Sequence, residues 1–135
     1  GNLLKYYISA QLFGCLLGVM LANTFFEHSI LELSTKSRDG FNIFISEIIA
    51  TFGLIFIIFS TLKDGKITVA ISVATYISAG YWFTSSTSFA NPAVTIARTF
   101  TDSFTGINYL NTPTYILAEF IGLILAVYVL KVIYK

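Results

Sequence analysis

Long runs of apolar residues constrain this chain more than any other feature of its sequence. Tyr6–Phe26 has no charged residue in 21 positions, and Phe41–Leu62 holds one, Glu47, in 22. Ile67–Phe83 and Thr114–Leu130 have 17 residues each, the last with Glu119 inside it and an apolar extension to Tyr134. About 20 helical residues at ~1.5 Å each cross the ~30 Å hydrocarbon core of a bilayer. These lengths predict membrane helices at 6–26, 41–62, 67–83 and 114–134, the third at the short end of the range. A soluble fold of this size could not hide so much apolar surface: 56% of its 135 residues are hydrophobic and 11% charged. The fold class expected is an all-α membrane protein.

With alternating spans, one membrane face receives Lys5, Lys63, Lys66, Lys131 and Lys135 against the single acid Asp64. The opposite face receives Glu27, Glu32, Lys36, Arg38, Asp39, Arg98 and Asp102. Cytoplasmic loops are the lysine- and arginine-rich ones, so both termini are expected in the cytoplasm. A net charge of +1 points to no nucleic-acid partner. The single Cys15 excludes an intrachain disulfide. His28 in the outer connection is read as solvated. No paired carboxylates, Ser–His arrangement or Cys/His cluster stands out, so no metal, cofactor or catalytic site is expected and the chain is not read as an enzyme.

The segment Thr84–Pro113 is about 30 residues long and is not a simple loop. It opens with Thr84-Ser85-Ser86-Thr87-Ser88 and then carries an apolar stretch, Phe89–Phe100, too short to span. That length fits an interfacial or re-entrant segment. Within it, Asn91-Pro92-Ala93-Val94-Thr95 reads as a helix start, because Asn is a preferred N-cap and Pro at the first helical position gives up no needed N–H. Asn-Pro begins helices in many proteins; its place between two membrane helices is what gives it weight. Backbone at membrane depth must line water or be buried in protein. A helix is expected at 91–104.

The first and last spans share a pattern, Tyr7-Ile8-Ser9-Ala10-Gln11-Leu12-Phe13-Gly14 and Tyr115-Ile116-Leu117-Ala118-Glu119-Phe120-Ile121-Gly122, at an offset of 108. Small residues continue at four-residue spacing in both, as Gly18 and Ala22 and as Ala126. Such a stripe lets a neighbouring backbone come close. Channels and transporters are often built from inverted repeats. On that reading 41–134 is one complete copy and the first span is the last helix of another. The chain begins with Gly, and two further spans and a second re-entrant segment are expected to precede it.

With this topology, Asn91-Pro92-Ala93 resembles the motif of the major intrinsic protein family, the aquaporins and glycerol facilitators. Ser46-Glu47-Ile48-Ile49-Ala50-Thr51 is similar to the family's Glu-x-x-Gly/Ala-Thr opening of the fourth span. The resemblance covers nearly the whole chain, from the third family span to the sixth, so residues 1–135 would be part of one aquaporin-like right-handed helical bundle. It implies a passive channel for water and small neutral solutes, with one pore per subunit of a homotetramer in a bacterial inner membrane. Asn91 would donate its amide to passing solute, and Glu47, Gln11 and Glu119 would support the structure. The family usually carries Arg directly after its motif; here that position is Val94, and Arg98 lies one turn on. The other filter positions fall on Ser88 and, by spacing, on Ala79. Ser, Val and Ala imply a widened filter, for which glycerol, undissociated arsenite and small organoarsenicals are the solutes the resemblance points to.

Two residue readings remain beside this one. Arg98 and Asp102, four apart, are expected to pair on the half-helix, with Arg98 as a displaced filter cation the alternative. Glu119, acidic inside a span, is expected to make a buried helix-to-helix hydrogen bond. For the chain as a whole, the rivals are a secondary transporter with a broken helix and a non-conducting fragment of a truncated channel.

Overall fold

The computed structural model of the chain describes residues 2–134. Helix α1 spans Asn2–Phe25, and α2 spans Phe41–Thr61 and tightens into a 3₁₀ turn at Leu62–Asp64. Helix α3 spans Lys66–Phe83, and α4 spans Pro92–Ala97 with a 3₁₀ turn at Arg98–Phe100. Helix α5 spans Thr112–Ile133. No strand occurs among the described residues. Three helices are long and apolar enough to cross a membrane: α1 from Leu3, α2 with its terminal turn, and α5. Helix α3, at 18 residues, carries Lys66 and several Ser, Thr and Gly residues that dilute its apolar character. Its own crossing therefore rests on the sequence reading.

Packing follows the small-residue stripes. Ala118, Gly122 and Ala126 are buried along α5, and the helix they face is α2, which buries Ala50 and Thr51 there. A Cβ on Gly122 would run into the Ile48 carbonyl oxygen and stand 2.9 Å from Thr51 Cβ. The close approach thus requires glycine, and van der Waals contact over that face is what holds two lipid-embedded helices together. Helix α3 is tied to α2 through Tyr76, whose ring fills the space over Gly53 and whose hydroxyl donates to the Ala50 carbonyl at 3.0 Å. The turn between them needs Gly65 at φ 95°, a conformation that costs other L-residues energy.

Helix α1 is different. Its matching stripe has open space over Gly14 and Gly18, and from Leu3 to Phe25 the buried residue is Asn23. Asn23 Nδ2 donates to the carbonyls of Ile30 and Phe100 at 3.2 Å each, and its Oδ1 accepts from the Thr101 hydroxyl at 2.6 Å. The connection from α1 to α2 is strapped across the same segment. Ser34 N–H donates to Thr99 O at 2.9 Å, and Asn108 N–H donates to Lys36 O at 2.7 Å.

The helix expected at 91–104 is shorter: helical turns end at Phe100, and Thr101 is extended at φ −141°, ψ 125°. Local hydroxyl chemistry accounts for the early stop. Thr99 donates to the Ile96 carbonyl at 2.7 Å, Thr101 bonds to Asn23 and to Ser103, and Ser103 pairs with Thr105. Side-chain hydroxyls that bond nearby groups in this way compete with the helical ladder.

Candidate channel site

The chain reaches the site through a strained approach. Thr87, Ser88 and Ala90 have φ of 62°, 48° and 51°, the left-handed region that costs a non-glycine residue about 1–3 kcal/mol. Buried side chains hold them there. Glu47 of α2, fully buried, accepts from the backbone N–H of Phe89 at 3.3 Å and from that of Ala90. Ser46 Oγ accepts from Ser86 N–H at 3.3 Å, and Tyr115 of α5 donates its hydroxyl to the Ser86 carbonyl at 3.1 Å.

On the far side of the motif, Glu119 of α5 accepts from Asn91 N–H at 3.2 Å and from the Thr95 hydroxyl. Two buried carboxyl groups, one from each of two packed helices, therefore hold the backbone N–H groups of residues 89 to 91, and Glu119 reaches Thr95 beyond the motif. Glu119 thus bonds from α5 to the half-helix. Its second oxygen has no partner among the described residues.

Asn91 itself is extended, at φ −158° and ψ 121°, and its Oδ1 accepts from Ala93 N–H at 2.9 Å, with Pro92 opening the helix behind it. This is ordinary N-cap chemistry. The cap occupies the oxygen of the amide and leaves Nδ2 without a partner among the described residues, as a donor for something outside the fold.

A cavity of about 480 Å³ lies between α1 and the half-helix. Cys15, Gly18, Val19 and Ala22 form its wall on α1, and Val94, Ala97 and Arg98 form the facing wall. Asn23, Thr101, Ser103 and Thr105 make its polar part. Of the residues predicted from sequence, Val94 and Arg98 reach this cavity; Asn91, Pro92 and Ala93 are at the start of the half-helix, outside its lining. Ser88 is buried with its hydroxyl unpartnered and lies against Gly80, where an added Cβ would stand 2.6 Å from Ser88 Oγ. Ala79 is exposed. The residue of α3 that meets Ser88 is thus Gly80, the neighbour of Ala79. Gln11 is exposed on α1, unlike its repeat partner Glu119.

Arg98 and Asp102 do not pair. Once the helix ends at Phe100, the geometry that sets residues four apart side by side is gone. Arg98 Nη2 donates to the Tyr81 hydroxyl at 2.6 Å, and its guanidinium lies 4.2 Å from the Phe89 ring centroid. Asp102 accepts from Thr35 N–H at 2.8 Å and from the Thr35 hydroxyl at 3.0 Å. These bonds, the backbone one first, hold its carboxyl below the usual carboxylate range.

Sequence reasoning missed Arg38. It is 6% exposed, donates from Nε to Gly106 O and from Nη2 to Phe104 O at 2.7 Å each, and stacks on Phe89 at 5.2 Å. Burial draws its guanidinium below the usual arginine range, against the opposing pull of Tyr115 and Glu47. No local pattern marks Arg38 or Asn23 as structural, since their partners, Ile30 aside, lie some 66 to 78 residues away. No group of three or more His, Cys, Asp or Glu side chains fit to hold a metal occurs among the described residues.

No protein-family model matches the chain, and no solved structure matches it. It is 40% identical over 125 residues to the aquaglyceroporin AqpS of Rhizobium meliloti (strain 1021). That match takes in 93% of this chain and 54% of the relative, so the chain spans about half the length of the protein it resembles. The likeness runs over nearly the whole chain, on an all-helical fold with three membrane-length helices.

Proposed function

We propose that these residues supply one half of a transmembrane pore for water and small neutral solutes, glycerol among them. The observation that carries this is the free Asn91 amide at the tip of a half-helix, held by Glu47 and Glu119 beside membrane-length helices. A fixed donor at membrane depth, with its own oxygen already used, can bond a passing hydroxyl and let it go again. Conduction needs binding of that moderate kind.

The uneven packing supports the half-pore part of the proposal. On α5 the small-residue stripe is covered by α2, while the repeated stripe on α1 faces open space over Gly14 and Gly18. A second set of spans, carrying a second half-helix, would cover α1 as α2 covers α5, and AqpS is nearly twice as long as the region matched. On this reading α3 also crosses the membrane, as the fifth family span, and both termini face the cytoplasm at a bacterial inner membrane. The complete subunit assembles as a homotetramer. The outer filter includes Ser88 and Val94, with α3 contributing at Ala79 or Gly80. The absence of a bulky residue at Val94 favours solutes wider than water, with undissociated arsenite and small organoarsenicals in the same neutral class.

Stopped-flow light scattering under a glycerol gradient tests this. Two preparations of proteoliposomes are compared, one with the complete reading frame that carries these residues and one with the 135-residue chain alone. Fast glycerol entry is expected in the first and background entry in the second. Background rates in both would overturn the channel reading, and fast entry through the chain alone would overturn the half-pore part.

A further inference from the structure

Ser103, Phe104 and Thr105 form part of the cavity wall, although they follow the last helical turn at Phe100. Backbone without a helical ladder must find its hydrogen bonds elsewhere. Here the α1–α2 connection supplies them by crossing the stretch. Ser34 N–H donates to Thr99 O at 2.9 Å, and Lys36 O accepts from Asn108 N–H at 2.7 Å. The crossing ends at Arg38, whose own N–H is anchored to Asn111 Oδ1 at 3.0 Å. From there its side chain reaches back, donating from Nε to Gly106 O and from Nη2 to Phe104 O. Gly106 has no room to shift, because a Cβ there would run into the Thr101 carbonyl oxygen and the Ser34 hydroxyl.

The same guanidinium covers the ring of Phe89 at 5.2 Å. Phe89 packs with Ile107 and Tyr115 in a buried apolar cluster, and Val94 lies against that cluster. Val94 also lines the cavity. One side chain therefore braces two separate parts of the wall, the 103–105 stretch by hydrogen bonds and Val94 through Phe89. Arg38 itself is buried behind the wall, at 6% exposed.

We infer that Arg38 is a positioning residue that sets the width of this passage, by fixing the 103–106 stretch against the half-helix. The inference rests on the channel reading above. Arginine suits the role because its planar fork can bond two carbonyls while its face stacks on an aromatic ring; a lysine ammonium cannot do both. Without the fork, the Phe104 and Gly106 carbonyls lose their donors and the wall gives. A wall that gives admits longer solutes, so the size limit depends on a residue that never meets the solute.

The experiment has two arms. In proteoliposomes of the complete reading frame, stopped-flow entry rates are compared for glycerol and for erythritol, its homologue one carbon longer. The erythritol-to-glycerol ratio is expected to rise several-fold in Arg38→Gln and in Arg38→Lys alike. Loss of folded protein alone would lower both rates together and leave the ratio where it was. An unchanged ratio in Arg38→Gln overturns the inference, and a parent ratio in Arg38→Lys assigns the effect to charge and overturns the bridging role. The second arm follows hydrogen exchange in the detergent-solubilised 135-residue chain, at the Ile107 amide that donates to Arg98 O at 3.2 Å. Exchange there is expected to quicken about tenfold or more in Arg38→Gln, the effect on local opening of losing a hydrogen bond to a charged group. The Asn91 amide, held by Glu119, should keep its parent rate. Unchanged exchange at Ile107 overturns the inference while glycerol entry in the parent leaves the channel reading standing; a parent that admits no glycerol sinks both. Should Arg38→Gln not fold, Asn111→Ala releases the Arg38 backbone instead and is expected to move the ratio and the Ile107 exchange the same way by less. No movement in either measure overturns the inference equally.

Discussion

Between Thr87 and Ala90 the backbone carries three residues in the left-handed region, and the carboxylate of Glu47 accepts from two N–H groups of that stretch. A carboxylate offers acceptors on both oxygens, whereas an amide turns an N–H donor toward one of the two N–H groups. Glu47→Gln is therefore expected to destabilise the chain by about 1–3 kcal/mol, the usual cost of leaving a buried polar group unpaired, as read by thermal unfolding in a fixed detergent. At the surface, Asp102 gives a pH signature. Its carboxyl sits below the ordinary range because Thr35 donates to the ionised form. Its contribution is therefore complete above the unfolded value of about 3.9 and is lost as pH falls through the lower folded value. Hydrogen exchange at the Thr35 amide should stay slow down to about pH 4 and accelerate below it, and Asp102→Asn should remove that dependence. The N-cap at Asn91 and the helix start at Pro92 were readable from residue type. The left-handed run was not, since Thr, Ser and Ala carry no signal for it and distant carboxylates stabilise it.

At the scale of helices, the two small-residue stripes look alike in sequence and differ in what they meet. Gly122→Ala places a methyl group against the Ile48 carbonyl and Thr51, backbone and core atoms that cannot step aside. A loss of about 1–3 kcal/mol is expected from overpacking. Gly14→Ala and Gly18→Ala meet open space and should be neutral or stabilising by up to about 1 kcal/mol, the helix preference of Ala over Gly. Melting temperatures of the three variants in one micelle system check the contrast; a comparable loss at Gly18 would mean that α1 is already covered. The half-helix teaches a related lesson. Its apolar residues predicted turns to 104, but the hydroxyls after Ile96 found nearer partners, and the helix stops at Phe100.

Over the whole molecule, the half-helix is enclosed from two sides by different means. Helices α2 and α5 grip it through buried carboxyl groups, while α1 and the α1–α2 connection fasten it through Asn23 and backbone bonds to Thr99 and Phe100. If a second set of spans completes the pore, Gly14 and Gly18 become contact positions. Replacing Gly18 with Leu should then lower the melting temperature of the complete protein by several degrees while leaving the 135-residue chain within a degree or two. Equal behaviour in both would remove the reason for expecting a helix on that face.

The sequence by itself determined the class of solvent, the long helices, the half-helix start at Asn91 and Pro92, and the repeat relating α1 to α5, because hydrophobic length, cap chemistry and small-residue spacing are local properties. Tertiary structure alone decided which acid holds which amide, that Arg98 turns to Tyr81 and Phe89 instead of Asp102, that Ser88 lies against Gly80, and that Arg38 is buried. Each of these depends on groups brought together from distant parts of the chain, and on where one short helix happens to end.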